Sequence, residues 1–301
     1  MTCYNPLVAY KLDGKVVFHK PFAFAKGFNL PCGQCIGCRL EYSRQWAVRC
    51  VHEAQMHDEN CFITLTFNND ALKERRNPYS LDKTEFQKFM KRVRKRYAHK
   101  IRFFHCGEYG EKNNRPHYHA LMFGHDFRDK KLWSINGGNR LYISQELQEL
   151  WPYGFNTIGE VNFETAAYTA RYVMKKHKGD DVVEKYQITD EDGVIWDRIP
   201  EYCTMSRGRK KDGDGGIGYR WYLKYGWSDC HKHDYVVVNG HETRPPRFYD
   251  KLCDEKVFEK IKQKRVEEAP EPIINYNENM DRLWVKEEVK KISLDRSARK
   301  L

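Results

Sequence analysis

The stretch that most constrains this chain is Arg115 to Gly124, an apolar, strand-like run that carries histidines at alternate positions. Side chains two apart on a strand leave the same face, so His117 and His119 are expected side by side. Neutral imidazoles held in this way can chelate one divalent ion, and a neighbouring carboxylate would complete a three-ligand set with positions open to water or substrate. Two half-buried strand histidines would leave the same trace, so the pair needs a second signal.

That signal lies about fifty residues on, at Tyr168 to Lys176. Asn162 can cap a helix here. At 100° per residue, Ala166, Ala170, Val173 and Met174 gather on one side, with Tyr168, Tyr172 and Lys175 nearly opposite and Arg171 close to them. Core tyrosines would sit among the alanines, so this pair either faces solvent or lines a cleft.

The surrounding pattern predicts the frame. Arg39 to about His57 reads as a helix, and Phe62 to Phe67 as a central strand. Asp82 and Glu85 form a variant capping box ahead of a helix whose buried face is Phe86, Phe89, Met90, Val93 and Tyr97. Lys88, Lys91, Arg92, Arg94, Lys95 and Arg96 crowd its remainder, which suits either a phosphate-facing surface or a solvated one. Ile101 to Glu108 reads as a strand that turns into the histidine strand, bringing Glu108 beside His117, with Glu111 in the turn as the rival carboxylate. A polar, irregular connection to about Arg140, a helix near Ser144 to Leu150 and a strand from Phe155 to Val161 follow. This order predicts an α+β fold: a central antiparallel sheet in split βαβ order, helices on one face, and N- and C-terminal extensions. The expected divisions are 1–60, an arm with cysteines and a helix; 61–179, the core; and 180–301, a C-terminal extension.

Outside that core three segments carry signals. Cys32, Cys35 and Cys38 stand at C-x-x-C-x-x-C spacing in a glycine-bent turn, which suits structural Zn²⁺ or three free thiols; Cys3, Cys50 and His52 are the candidates for a fourth ligand. Asp180 to Pro200 is acidic and loop-like, with a hairpin around Asp192-Gly193. Ser206 to Tyr225 interleaves Arg207, Arg209, Lys210 and aromatics with glycines, as a single-stranded nucleic-acid contact or a mobile surface loop would. The tail from about Val266 reads as a peripheral helix with a basic end.

Composition enters as a filter. A net charge of +11 with nineteen tyrosines and seven tryptophans suits a polyanionic partner with bases to stack, or a basic protein with a solvated surface. No window approaches the roughly 18 apolar residues of a membrane span, and no signal peptide is legible, so an intracellular protein with reduced thiols and no membrane partner is expected.

Jointly these motifs resemble a known group. His117-Tyr118-His119 followed by Tyr168-x-x-x-Tyr172 is similar to the HUH endonuclease superfamily, specifically the two-tyrosine rolling-circle replication initiators of microviruses, small icosahedral single-stranded DNA phages. Pro31 to Arg39, Gln45 to Arg49, and Ser206-Arg207 before Gly216-Ile217-Gly218 further resemble the gokushovirus branch, whose members infect Chlamydia and other bacteria. The resemblance makes Phe62 to Phe67 the first superfamily motif, His117, His119 and Glu108 the ligands of Mg²⁺ or Mn²⁺, and Tyr168 and Tyr172 the nucleophiles. Lysine often follows each family tyrosine by three residues; Lys175 keeps that place after Tyr172, whereas Arg171 stands after Tyr168.

The resemblance implies an origin-specific DNA nicking and joining enzyme in the bacterial host cytoplasm, acting on single-stranded origin DNA and the duplex replicative form beside a host helicase and polymerase. Arg92, Lys95, Arg171, Lys176, Arg207, Arg209 and Lys210 are its expected DNA contacts. A relaxase or single-tyrosine transposase, a non-catalytic nucleic-acid-binding protein and a metal-dependent phosphohydrolase are the alternatives.

Overall fold

The structure is a computed structural model that describes residues 3–110, 113–175, 184, 186–208, 214–268 and 276–298; the side chains of 136, 172–175, 276–280 and 295–298 fall outside that description. Two compact units divide the chain, Met1–Ser43 with Cys253–Leu301 and Arg44–Leu252. The boundary falls inside a helix.

The first unit begins with three short strands, β1 (Leu7–Leu12), β2 (Lys15–Val17) and β3 (Phe28–Leu30), paired antiparallel in the order β2-β1-β3. Helix α1 (Ile36–Ala54) follows and carries the chain into the second unit.

The second unit is built on strand β4 (Asn60–Leu65), helices α2 (Asn69–Lys73) and α3 (Lys83–Arg96), and the hairpin β5 (Arg102–Tyr109) to β6 (Pro116–Phe123). Then come β7 (Lys131–Asn136), β8 (Asn139–Ile143), α4 (Gln145–Leu150), β9 (Asn156–Gly159) and α5 (Phe163–Lys175). A small hairpin, β10 (Gln187–Thr189) with β11 (Ile195–Asp197), turns where Asp192-Gly193 predicts it. Strand β12 (Tyr202–Met205), helix α6 (Tyr219–Tyr225), the hairpin β13 (Val236–Val238) with β14 (His241–Thr243), and α7 (Arg247–Asp250) complete it. Helices α8 (Glu255–Glu267) and α9 (Tyr276–Ala298) return to the first unit. No described helix is long and apolar enough to cross a membrane.

One seven-stranded sheet, ordered β12-β5-β6-β4-β9-β8-β7, organises the second unit, and every pairing in it is antiparallel. The α+β class and the central antiparallel sheet are therefore as the sequence implies. Strand β6 lies inside the sheet, between β5 and the central β4, and six of its eight residues run without a break from buried Tyr118 to Phe123. Gly124 ends it at φ +79°, where an added Cβ would stand 3.0 Å from His57 and 3.3 Å from the Lys100 carbonyl.

The helices cover both faces of the sheet rather than one. On the face of Ile63, Tyr118, Ala120 and Met122 lie Phe86, Phe89, Met90 and Val93 of α3 and Leu147 and Leu150 of α4. On the face of Phe104, Leu121 and Phe123 lie Ala166 and Ala170 of α5 and Ala47 and Cys50 of α1. The difference is physical: β6 is apolar on both sides of its pleat, and each side needs a cover.

The stretch expected to be irregular, up to Arg140, is instead β7 and β8, which turn through Gly137 and Gly138, both at positive φ. Leu132, Trp133 and Ile135 of β7 are exposed, so the strand lacks the burial pattern by which a strand is recognised.

The glycine-rich turn after residue 213 is tied to the core rather than mobile. Buried Arg102 donates to the carbonyls of Asp214 and Gly215, and Gly218 N–H donates to the buried carboxylate of Glu53 at 2.7 Å. Arg102 Nε also lies 2.5 Å from Glu53 Oε1, so a closed ion pair anchors the turn.

Candidate active site

The β5–β6 pairing places Glu108 directly opposite His117 and Cys106 opposite His119, while β4 sets Thr64 opposite His119. Alternation turns Glu108, His117, His119 and Thr64 to the face that α5 covers. The site and the second helical layer thus share one face, and the layer supplies part of the site.

His117 Nε2 lies 2.6 Å and His119 Nε2 2.8 Å from the same oxygen, Glu108 Oε1. Tyr168 donates its hydroxyl to that oxygen at 3.3 Å, and its ring meets the His119 ring edge to face at 5.2 Å. Tyr168 is therefore half-buried against Glu108 and His119, although it leaves α5 away from buried Ala166 and Ala170. Burial alone would push the Glu108 carboxyl up, but its bonds to His117 and His119 hold it below the usual carboxylate range.

The outer nitrogens of the two imidazoles are also engaged. His117 Nδ1 faces the Arg115 carbonyl at 3.1 Å, and His119 Nδ1 faces the Thr64 hydroxyl at 2.9 Å. A carbonyl only accepts, so Nδ1 of His117 carries a proton. In the neutral tautomer Nε2 then points a lone pair at the Glu108 carboxylate, an arrangement that requires a positive charge between them: a proton or a metal ion. The three ligand atoms lie within 4.8 Å of one another. Two imidazoles, each oriented from behind, and one carboxylate fit a divalent ion, and the nitrogen donors suit Mn²⁺ better than oxygen-demanding Mg²⁺.

The other expected site residues are distributed differently. Tyr172 and Lys175 lie further along α5, one turn and about two turns after Tyr168, with side chains outside the described residues; Arg171 on the same helix is half-buried. Lys176, Arg209, Lys210 and the rival carboxylate Glu111 lie outside the described residues altogether. Arg92 and Lys95 belong to α3, which packs on the sheet face opposite the histidines. Arg92 donates Nε to the Leu150 carbonyl at 2.8 Å and so docks α4; Lys95 is exposed. Arg207 is exposed just beyond β12, beside the Arg102 end of β5, about 20 Å along the strand from Glu108 at ~3.3 Å per residue.

Sequence reading gave no contact with the site to three of its parts: Thr64 and Phe62, which entered only within the Phe62 to Phe67 motif, and the Arg115 carbonyl; the Phe62 ring stacks on His119 at 5.5 Å. Their only signal is register. Thr64 has no partner legible in the Phe62 to Phe67 motif until β4 and β6 are aligned.

The comparisons with known proteins fall on the same region. The model of a family described as replication-associated protein ORF2 matches residues 60–177, a span that opens at β4 and includes α5. The chain belongs to the family of phage replication-associated proteins. It is 32% identical over 261 residues to replication-associated protein VP4 of Bdellovibrio phage phiMH2K, covering 83% of this chain and 76% of that one. It is 30% identical over 262 residues to replication-associated protein ORF4 of Chlamydia phage 1, across 84% of this chain but 59% of the relative. To replication-associated protein ORF2 of Spiroplasma virus 4 it is 28% identical over 294 residues, with 88% and 86% covered. No solved structure matches.

Proposed function

We propose that this protein takes part in replicating a small circular single-stranded DNA phage genome by nicking and rejoining one strand at its origin, with Tyr168 and Tyr172 as nucleophiles. The observation that carries this reading is the Tyr168 hydroxyl 3.3 Å from Glu108, beside two histidines that share the same oxygen. Family membership supports the biological setting, and the charge of +11 supports a DNA partner.

Glu108, His117 and His119 would hold Mn²⁺ or Mg²⁺, which supplies polarisation of the scissile phosphate. In the nicking step the tyrosine Oη forms a bond to phosphorus and the P–O3′ bond breaks. The phenolic proton passes to water, and the 3′ oxygen takes up a proton. The products are a 5′-phosphotyrosine and a free 3′-hydroxyl from which a host polymerase extends; nothing is oxidised or reduced. Lys175, on the same helix as the tyrosines, would offset charge on the phosphate. After one round the second tyrosine cuts the regenerated origin. The displaced strand's 3′-hydroxyl then attacks the first phosphotyrosine, and the tyrosine leaves with a proton, so closure consumes no ATP. Arg171, Lys176, Arg207, Arg209 and Lys210 would follow the DNA backbone. Arg92 and Lys95, on the opposite sheet face, could meet DNA only away from the cut. A host helicase and the host cytoplasm complete the setting.

The test is a nicking assay on supercoiled origin plasmid. Relaxation is expected with Mn²⁺ or Mg²⁺, and none with chelator or with the Tyr168→Phe, Tyr172→Phe double variant. Relaxation by the double variant equal to that of the parent would refute the reading.

A further inference from the structure

Four sulfurs that are far apart in sequence meet in the first unit. Cys3, which precedes β1, comes to Cys32, Cys35 and Cys38 at the start of α1, and all four sulfur atoms lie within 4.8 Å of one another. The C-x-x-C-x-x-C turn lacks a fourth ligand at ordinary spacing; folding supplies Cys3 and leaves Cys50 and His52 further along α1. Cys35 and Cys38 are buried, and Cys3 and Cys32 are half-buried.

The spacing discriminates between chemistries. Cys35 Sγ and Cys3 Sγ are 3.8 Å apart. A disulfide needs about 2.05 Å. Four thiolates about 2.3 Å from a tetrahedral zinc ion stand about 3.8 Å from one another. Backbone amides also aim at the sulfurs: Gln34 N–H and Cys35 N–H at Cys32 Sγ (3.4 and 3.3 Å), Tyr4 N–H at Cys35 Sγ (3.3 Å) and Cys32 N–H at Cys3 Sγ (3.3 Å). Gly33, at φ +73°, makes the bend that aims the first pair. A thiol is a weak acceptor and a thiolate a strong one, so this halo of donors suits thiolates. Four thiolates together repel unless a cation lies among them.

The surroundings give the ion a task. Strands β2 and β3 have three residues each, and Leu7, Leu12, Val16, Phe18, Phe22 and Phe24 are all exposed. The buried cluster here is Tyr4, Cys35 and Cys38, too little apolar surface to fix a three-stranded sheet without a staple.

We propose that Cys3, Cys32, Cys35 and Cys38 bind one Zn²⁺ as a closed tetrathiolate, a structural site that ties the chain ahead of β1 to the start of α1. A closed set has no position for substrate, so its role is separate from the nicking chemistry. The experiment is elemental analysis of the purified full chain, alongside Cys3→Ser and the control Cys61→Ser, a cysteine buried in the sheet core. One zinc per chain is expected in the parent and the control, and loss of zinc in Cys3→Ser. Iron in its place, no metal in the parent, or unchanged zinc in Cys3→Ser overturns the assignment. Because Cys3→Ser could unfold, cysteine alkylation of the parent is mapped in parallel. The four cysteines should resist until a strong chelator is added; equal rates with and without chelator also overturn it.

Discussion

Thr64 acts on the site through His119. Its hydroxyl lies 2.9 Å from His119 Nδ1 and fixes the ring that presents Nε2 to Glu108. Outer partners of this kind are worth about 10–100-fold in metal affinity. Thr64→Val keeps the strand shape and should raise the Mn²⁺ concentration for half-maximal nicking by about that factor. An unchanged metal titration would show that Thr64 only fills space. At this scale the sequence is uneven. His117, His119 and Glu108 are legible because alternation and one hairpin bring them together. Thr64 and Phe62 are not, since their roles depend on which residue of β6 each faces. Cys3 is legible only as one of three candidates beside Cys50 and His52, because the intervening sheet decides which of them meets Cys32.

At the scale of elements, the start of α3 departs from the capping box in an instructive way. Asp82 caps as expected, accepting from Thr84 N–H at 2.8 Å. Glu85 does not return to Asp82; it takes Arg75 on both oxygens at 2.7 and 2.9 Å and the buried Tyr118 hydroxyl at 2.5 Å, while Asp82 N–H donates to Tyr118 instead. Tyr118 lies between the metal-candidate histidines on β6, so the cap of α3 and the reverse side of the site share one hydrogen-bond chain. Asp82→Ala should cost about 1 kcal/mol in urea unfolding, an ordinary cap loss. Glu85→Ala should cost more, about 2–3 kcal/mol, because it leaves a buried phenol and a guanidinium without that carboxylate. Equal losses would mean that the bonds of Glu85 to Arg75 and Tyr118 are worth no more than an ordinary cap. The hairpin β7–β8 and the helices on both faces were harder to read than α3. An exposed apolar strand carries no alternation, and the stripe of α5 tells that it packs without telling on which side.

At the scale of the molecule, the histidines outside the site set the response to acid. His52, stacked on Trp221 at 3.5 Å and bonded to Tyr249 at 2.9 Å, is held neutral by burial, its pKa lowered to about 3. Burial also takes His105 well below its ordinary value, with a smaller effect from His119. In both cases the folded pKa lies below the unfolded one, so below about pH 6.5, and for His52 down to about pH 3, the unfolded chain binds more protons and stability falls as the pH falls. Burial of Glu53 would raise its pKa, but His57, Arg102 and the Gly218 N–H hold it below 4.5, so this carboxylate adds to the loss below about pH 4.5. Thermal unfolding should therefore show a midpoint that drops from pH 7 to pH 4. His52→Phe should drop less steeply over that range, whatever its stability at pH 7; an identical slope would remove His52 from this account. The central claim concerns Tyr168 and its partners on the sheet. It is tested most directly by trapping the covalent complex on a single-stranded origin oligonucleotide with Mn²⁺ and locating the modified residue by peptide mass analysis. The account predicts a phosphodiester on Tyr168 or Tyr172, lost when His117 and His119 are replaced by alanine. A DNA adduct on any other residue, or cleavage that leaves no adduct, would contradict it.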